Sequence, residues 1–370
     1  MTGMNKPILT LLVVLTTLLS GRQLIGLNSA EHSAKAETAT EKKSFDPGKF
    51  ILDHVMDSYE WHIMTVGKTH ISIPLPVILY TREKGLVVFM SSRFHHGHEA
   101  WKGFWIAGEG KHEGKIVQVN PDGTIDEEAP LPVDLSITKT VAAMLVSIIL
   151  ILVIFLPVAR KYLKNKSTAP TGLQNLLEPV ILFVRDDIAK PSLGAHRYEK
   201  FMPYLLTVFF FILFNNLLGI IPFPPGGANV TGNIAITGIL ALATLITIVF
   251  TGDKHYWMHL VNAPGIPWWL KLPVPLMPFI EILGFFLKPL VLCIRLFANM
   301  LAGHFIALSF IVLIFIFGQL SWIAGYGSSL VSMVFFVFMT LLELLICFIQ
   351  AYVFTFLSAL YIGMAREGGH

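Results

Sequence analysis

Charge is scarce in this chain. Of 370 residues, 14% are charged and 54% are hydrophobic. A soluble domain that apolar would be hard to keep in solution, which points away from a water-soluble fold. The formal net charge of +3 is too small to suggest a nucleic-acid partner. Cysteine is nearly absent, and Cys293 and Cys347 both lie in apolar runs. A structural disulfide is therefore not expected, and the redox compartment cannot be read from them. There is no G-x-x-x-x-G-K-[ST] loop, so nucleotide chemistry is not expected of this chain. No internal repeat is present. The histidine cluster HHGHE (95–99) lacks a defining ligand spacing and reads as an exposed polar loop, not a metal site. No cofactor or metal is expected.

The few charges are unevenly spread. They crowd into 31–136 and short connectors, and they nearly vanish from several long apolar runs. That pattern is an all-α polytopic membrane protein. At the start, Lys6 precedes an apolar stretch from Ile8 to Leu19 and small or polar residues around Asn28 to Ala30. Residues 1–30 read as a secretory signal peptide, with an uncleaved anchor as the alternative. Either places 31–136 outside the cytoplasm. Within that region ISIPLPVILY (71–80), GLVVFMSS (85–92) and KIVQV (115–119) read as short strands, and NPDGT (120–124) as a turn. A small β-containing extracytoplasmic region is expected there, followed by a membrane domain over 137–370.

Five spans follow, at about 138–158, 201–222, 232–251, 274–318 and 329–364. The segment 172–190 is amphipathic and reads as lying along the membrane surface. Arg160, Lys161, Lys164 and Lys166 follow the first span. Arg197 and Lys200 precede the second, Lys254 follows the third, Lys271 precedes the fourth and Arg366 follows the fifth. With the N-terminal region outside and the C-terminus inside, every one of these basic residues is cytoplasmic. The last two spans exceed a perpendicular crossing of a core about 30 Å thick, so a tilted hairpin is expected.

LVLCIRLFANMLAGHFIAL (290–308) carries Arg295 at the middle of an apolar span, with Asn299 and His304 behind it. A central arginine costs roughly 3 kcal/mol on insertion scales, and its pKa is too high to escape by deprotonation. Glu281, Lys288 and Arg295 recur every seven residues, nearly two turns, and so share a face. Glu343 and Gln350 share a face in the same way. Folding the two spans antiparallel about a turn near 322–323, inside LSWIAGYGSS (320–329), sets Arg295 level with Gln350 and His304 level with Glu343. Nine residues separate Arg295 from His304, so the histidine points away from the arginine and stands about 13.5 Å nearer the outside. Structural readings stand beside the functional ones. Glu281 and Lys288 form a structural pair or line a channel, with Lys288 snorkelling. Asn299 and Gln350 bond helices together or serve transport. His304 and Glu343 form a buried structural pair or a proton relay. Arg295 has no acidic residue of its own chain at its height, and its natural partner lies on another subunit.

With those residues in view, KPLVLCIRLFANMLAGH (288–304) and ELLICFIQAYVFTFLSALYI (343–362) resemble subunit a of the F-type ATP synthase. FNNLLGIIPF (214–223) and ANVTGNIAIT (228–237) resemble that family's second-span end and third-span start. The resemblance covers about 135–365. It implies a proton-translocating stator subunit, not catalytic alone, that works with a c-ring, b-type peripheral stalk subunits and the rest of an F1Fo complex in a bacterial inner membrane. Arg295 then matches the essential arginine facing the ring, with Asn299 and Gln350 beside it. His304 and Glu343 match a pair in the outer half-channel, and Glu281 an acidic residue of the inner one. Many bacterial members carry the carboxylate first and the histidine second; here the two types are exchanged. Asn216 matches a second-span asparagine, while the acidic residue some members have three positions later is Gly219 here. The His304 and Glu343 pair favours H⁺ over Na⁺ as the coupling ion. Two other classes are weighed against this one. A carrier acting alone, such as a cation–proton antiporter, would show inverted repeats. A membrane scaffold with an outer module leaves the midplane arginine unexplained.

Overall fold

The computed structural model describes residues 47–66, 69–97, 99–108, 112–120, 124–126, 129–164, 170–221, 226–261 and 276–366. The apolar N-terminal run lies outside them, as does the middle of the 120–124 turn; Asn120 N–H still donates to Thr124 O across it, at 2.9 Å.

A helix, α1 (Pro47–Val55), leads into strands β1 (Glu60–Val66), β2 (Thr69–Pro74), β3 (Pro76–Thr81), β4 (Gly85–Met90), β5 (Phe104–Ile106), β6 (Ile116–Gln118) and β7 (Val133–Asp134). They pair as antiparallel ribbons β1–β2 and β5–β6 and a three-stranded sheet ordered β4–β3–β7. The stretch 71–80 is two strands, not one. Neither Pro74 nor Pro76 can donate to a continuous ladder, and Leu75 N–H between them donates to Ser91 Oγ, at 3.0 Å. Sequence reading misses β1, whose register slips between His62 and Met64 and so breaks the period-2 signal. It also misses β5 and β7, which are too short to show one. Val77, Leu79, Phe94, Phe104 and Ile116 close the module's small core.

The module is stitched to the first membrane helix, α2 (Lys139–Lys164). Asp57 Oδ1 accepts from Thr140 N–H at 3.0 Å, capping the free amides of that helix start from outside. Lys139 N–H donates to Ser58 O at 2.8 Å, and Lys139 Nζ donates to Met56 O at 3.0 Å. Trp61 of β1 packs with Ala143, Ala228 and Val230.

Then come α3 (Leu173–Phe183), a π-helical turn over Val184–Ala189, α4 (Lys190–Leu193), α5 (Tyr198–Ile220), α6 (Ile234–Thr251), α7 (Lys254–Val261), α8 (Leu276–Leu320) and α9 (Trp322–Met364). Five helices among the described residues are long and apolar enough to cross a membrane: α2, α5, α6, α8 and α9. The 172–190 segment is two-faced, as an amphipathic stretch should be: Leu173 and Leu176 are exposed, while Val184, Ile188 and Ala189 are fully buried in the main core. Just past it, Ser192 of α4 packs on α9, whose Gly363 presents no side chain there. A Cβ on Gly363 would stand 2.0 Å from Ser192 O. In lipid, where apolar burial gives no net drive, such close backbone approach is what holds helices together. A polar thread adds to it: Tyr204 OH meets Thr244 Oγ1 at 2.8 Å, and Thr244 Oγ1 meets Ser358 Oγ at 3.2 Å, joining α5, α6 and α9.

The connection between α8 and α9 is tighter than the 320–329 break suggests. Only Ser321 leaves the helical path, and its Oγ caps α9 by accepting from Ala324 N–H at 3.1 Å. Gly318 and Gly325 let the helices meet directly after it; a Cβ on Gly325 would lie 2.9 Å from Gly318 Cα.

Candidate functional site

The antiparallel packing of α8 on α9 can be followed rung by rung. Phe310 stacks on Phe335 at 5.4 Å between centroids. Farther from the turn, His304 Nδ1 lies 2.9 Å from Glu343 Oε1. Farther still, Lys288 Nζ sits over the Tyr361 ring at 5.6 Å. The level pairing of His304 with Glu343 is thus a direct contact.

That contact is built from three helices. His304 Nε2 lies 3.2 Å from Gly219 O, at the end of α5. His304 Nδ1 lies 3.2 Å from Met300 O, one turn back on α8. Each ring nitrogen therefore faces an oxygen acceptor. A neutral imidazole has one N–H to give, and the protonated ring has two. Glu343 is buried, and its Oε1 receives no aligned hydrogen bond even though the imidazole touches it. Gly303 makes room for the carboxylate: a Cβ there would come within 3.1 Å of Glu343 Oε1. Gly219, in place of an acidic side chain, faces the same imidazole. A Cβ on it would lie 3.7 Å from His304 Cε1. From α5 it is the Gly219 backbone carbonyl that meets the ring, at Nε2, while the Glu343 carboxylate of α9 meets it at Nδ1.

Asn216, one turn before Gly219, is fully buried and accepts from Thr231 Oγ1 at 2.5 Å, while its Nδ2 has no protein partner. Asn229 Nδ2 donates to Met300 O at 3.3 Å, the same carbonyl that faces His304. Sequence reasoning misses Asn229 and Thr231. Their signal is the polar run ANVTGN at the mouth of an apolar helix, which a linear reading assigns to capping alone. Asn233 does cap α6, accepting from Ala235 N–H at 3.0 Å. A cavity of about 750 Å³ opens beside the pair, lined by His304, Glu343, Gly219, Thr340 and Phe336 among others.

Arg295 stands apart. It is exposed, as is Asn299 one turn on. Among the described residues no ion pair or hydrogen bond holds its guanidinium. Its neighbours on the same face of α8 are open: Val291, one turn before it, is 46% exposed, and Ala298 and Asn299, one turn after it, are exposed. Gln350 is buried in α9 and no hydrogen bond joins it to Arg295 among the described residues. Glu281 and Lys288 do not pair with each other, which corrects that structural reading. Lys288 lies over Tyr361 instead. Glu281 lies near Tyr256 of α7, whose hydroxyl is pushed up first by burial and then by that carboxylate. Of the histidine cluster, His95 meets Glu99 at 3.6 Å with both side chains about two-thirds exposed, and no metal-binding group occurs among the described residues.

Two family models match the chain. Residues 141–363 match the ATP synthase A chain, and residues 50–136 match a domain of unknown function. Among similar proteins are "ATP synthase subunit a" of Chloroherpeton thalassium, 42% identical over 63% of this chain and 67% of the relative, and "ATP synthase subunit a 2" of Chlorobaculum tepidum, 47% identical over 63% of this chain and 64% of the relative. "ATP synthase subunit a" of Anaeromyxobacter dehalogenans is 42% identical over 62% of this chain and 58% of the relative.

Proposed function

Since the chain belongs to the ATP synthase A chain family, we propose that it is the proton-translocating stator subunit of an F-type ATP synthase, supplying two half-channels and the arginine that faces a rotating c-ring. It is not catalytic alone; ATP chemistry belongs to partner subunits, and b-type stalk subunits hold it against the ring. It lies in a bacterial inner membrane with the 31–136 region outside and the C-terminus in the cytoplasm. Residues 1–30 serve as its signal or anchor and 137–370 as its membrane domain.

What carries this reading is the unpaired Arg295 on an open face of α8. A charge so placed needs an opposite charge that comes from elsewhere and keeps moving. A ring carboxylate arriving at contact distance gains about 4 kcal/mol at an effective dielectric near 20, or about three pKa units. The guanidinium thus favours the ionised carboxylate and drives its proton toward Glu281 and the inner side. Asn299 and Gln350 flank that passage. On the outer side a proton reaches the ring by way of His304 and Glu343, with Asn216 lining the route. The imidazole faces two acceptors and touches a carboxylate, so it can take a proton from one side and release it on the other. Because Arg295 never loses its charge, it also repels protons that would leak straight between the half-channels. Each proton crossing 100 mV delivers roughly 2.3 kcal/mol, so several are needed per ATP. Lys288, over Tyr361, is a structural or channel-lining residue.

ATP-driven proton pumping and passive leak in vesicles bearing Arg295→Ala test this. Loss of pumping in a complex that still assembles is expected. Unchanged pumping would overturn it.

A further inference from the structure

The 750 Å³ cavity beside His304 and Glu343 has a second wall that the proposed mechanism does not use. Asp57, Tyr59, Glu60, His62 and Lys139 line it, together with Ile63. All but Lys139 belong to the outer module, and Lys139 is the first residue of α2. We propose that this module is the mouth of the proton-entry path, so that protons reach His304 and Glu343 through it rather than straight from the surrounding water. The inference rests on the proton-relay role given to that pair.

Three observations carry it. First, the module is fixed over the cavity by the Asp57, Ser58 and Met56 bonds to Lys139 and Thr140. Helix α1, just before them, packs along α8. Second, one wall of the cavity carries the polar partners that water needs. An apolar void of this size would stay dry, but a bound water needs only two to four polar partners, and this wall offers titratable groups of both signs. At about 30 Å³ per molecule the space holds on the order of tens of waters, enough for a continuous chain. Third, the inner end presents an acceptor with nothing aligned to it: Glu343 Oε1, buried, at the cavity wall. The carboxylates of Asp57 and Glu60 outnumber Lys139 at the mouth, which raises the local proton concentration there.

Ile63 is 38% exposed at the mouth, while Leu86 on β4 is 63% exposed and does not line the cavity. Ile63→Cys and Leu86→Cys complexes are labelled in intact cells with a bulky, membrane-impermeant maleimide. Inverted vesicles are then prepared and ATP-driven acidification is read. The two native cysteines are buried, so the unsubstituted complex gives the background. Labelled Ile63→Cys is expected to lose at least tenfold in pumping rate, with unlabelled Ile63→Cys and labelled Leu86→Cys unchanged. Complete labelling at position 63 with undiminished pumping would overturn the proposal. Ser58→Cys, also on the cavity wall, gives the same reading independently should Ile63→Cys fail to assemble. A Glu343→Gln control separates the two inferences. If it abolishes pumping while labelled Ile63→Cys pumps normally, the relay reading stands and the entry route through the module falls.

Discussion

Consider the pair His304 and Glu343 broken and then exchanged. When the imidazole carries a proton, the two charges at 2.9 Å attract by roughly 6 kcal/mol at an effective dielectric of about 20. Taking both groups out of water returns much of that, which leaves a coupling of about 2–3 kcal/mol. The cycle consists of His304→Gln, Glu343→Gln and the double variant, read by ATP-driven acidification of inverted vesicles. The double variant is expected to lose less than the product of the single losses, by roughly 30- to 150-fold. The exchanged variant, His304→Glu with Glu343→His, is expected to recover only part of the activity. A carboxylate at 304 would face the carbonyls of Gly219 and Met300, which stand 3.2 Å from the native ring nitrogens and cannot donate to it. Multiplicative losses would refute the reasoning, because independent costs mean the contact has no energetic content. Full recovery in the exchanged variant would refute the role given to the Gly219 carbonyl.

Further outcomes follow from other contacts. Arg295→Lys keeps a positive charge but not the fork of donors, so pumping should fall sharply while assembly, judged by co-purification of the ring, stays normal. Gly363→Ala would force a methyl to 2.0 Å from Ser192 O; overpacking of this kind costs about 1–3 kcal/mol, and an unchanged melting temperature of the solubilised complex would contradict the close approach described. Tyr59 lies in the N-terminal strand module with its hydroxyl on Asp134 Oδ2 at 2.5 Å, and burial, then that bond, push its pKa well above the ordinary value of 10. The raised folded value stabilises the module fully below pH about 10 and is lost as pH climbs through the folded pKa. Tyr59→Phe should therefore flatten the alkaline loss of module structure measured by circular dichroism. Cys293 and Cys347, both buried, should resist maleimide until the complex is denatured.

Much of this molecule is legible in one dimension because lipid imposes so simple a rule. A span must satisfy its own backbone and be apolar for about 20 residues, and both demands are written locally. The five candidate spans therefore emerge from hydropathy, and the turn near 322–323 from a run of small residues. Antiparallel geometry then converts a sequence distance into a height, so the level of His304 against Glu343 is legible in the spacing alone. The errors fall where long-range contacts override local signals. Ser321 alone makes the hairpin because Gly318 and Gly325 can touch. β1 is hidden by a bulge.

What the sequence by itself determined is which chemistry is present and how it is spaced along the helices: an arginine that cannot lose its charge, a histidine and a glutamate level with each other in the hairpin, a carboxylate farther from the turn. Only the tertiary structure decided who meets whom across helices. It put the Gly219 carbonyl against the imidazole nitrogen opposite Glu343, and left Arg295 open on the surface of α8. It also laid the N-terminal strand module beside the cavity that Glu343 lines. The physical reason is that depth follows from transfer free energy, which is a property of each residue and its neighbours along the chain. Lateral contact follows from how closely backbones can approach, and that is set jointly by side chains far apart in sequence.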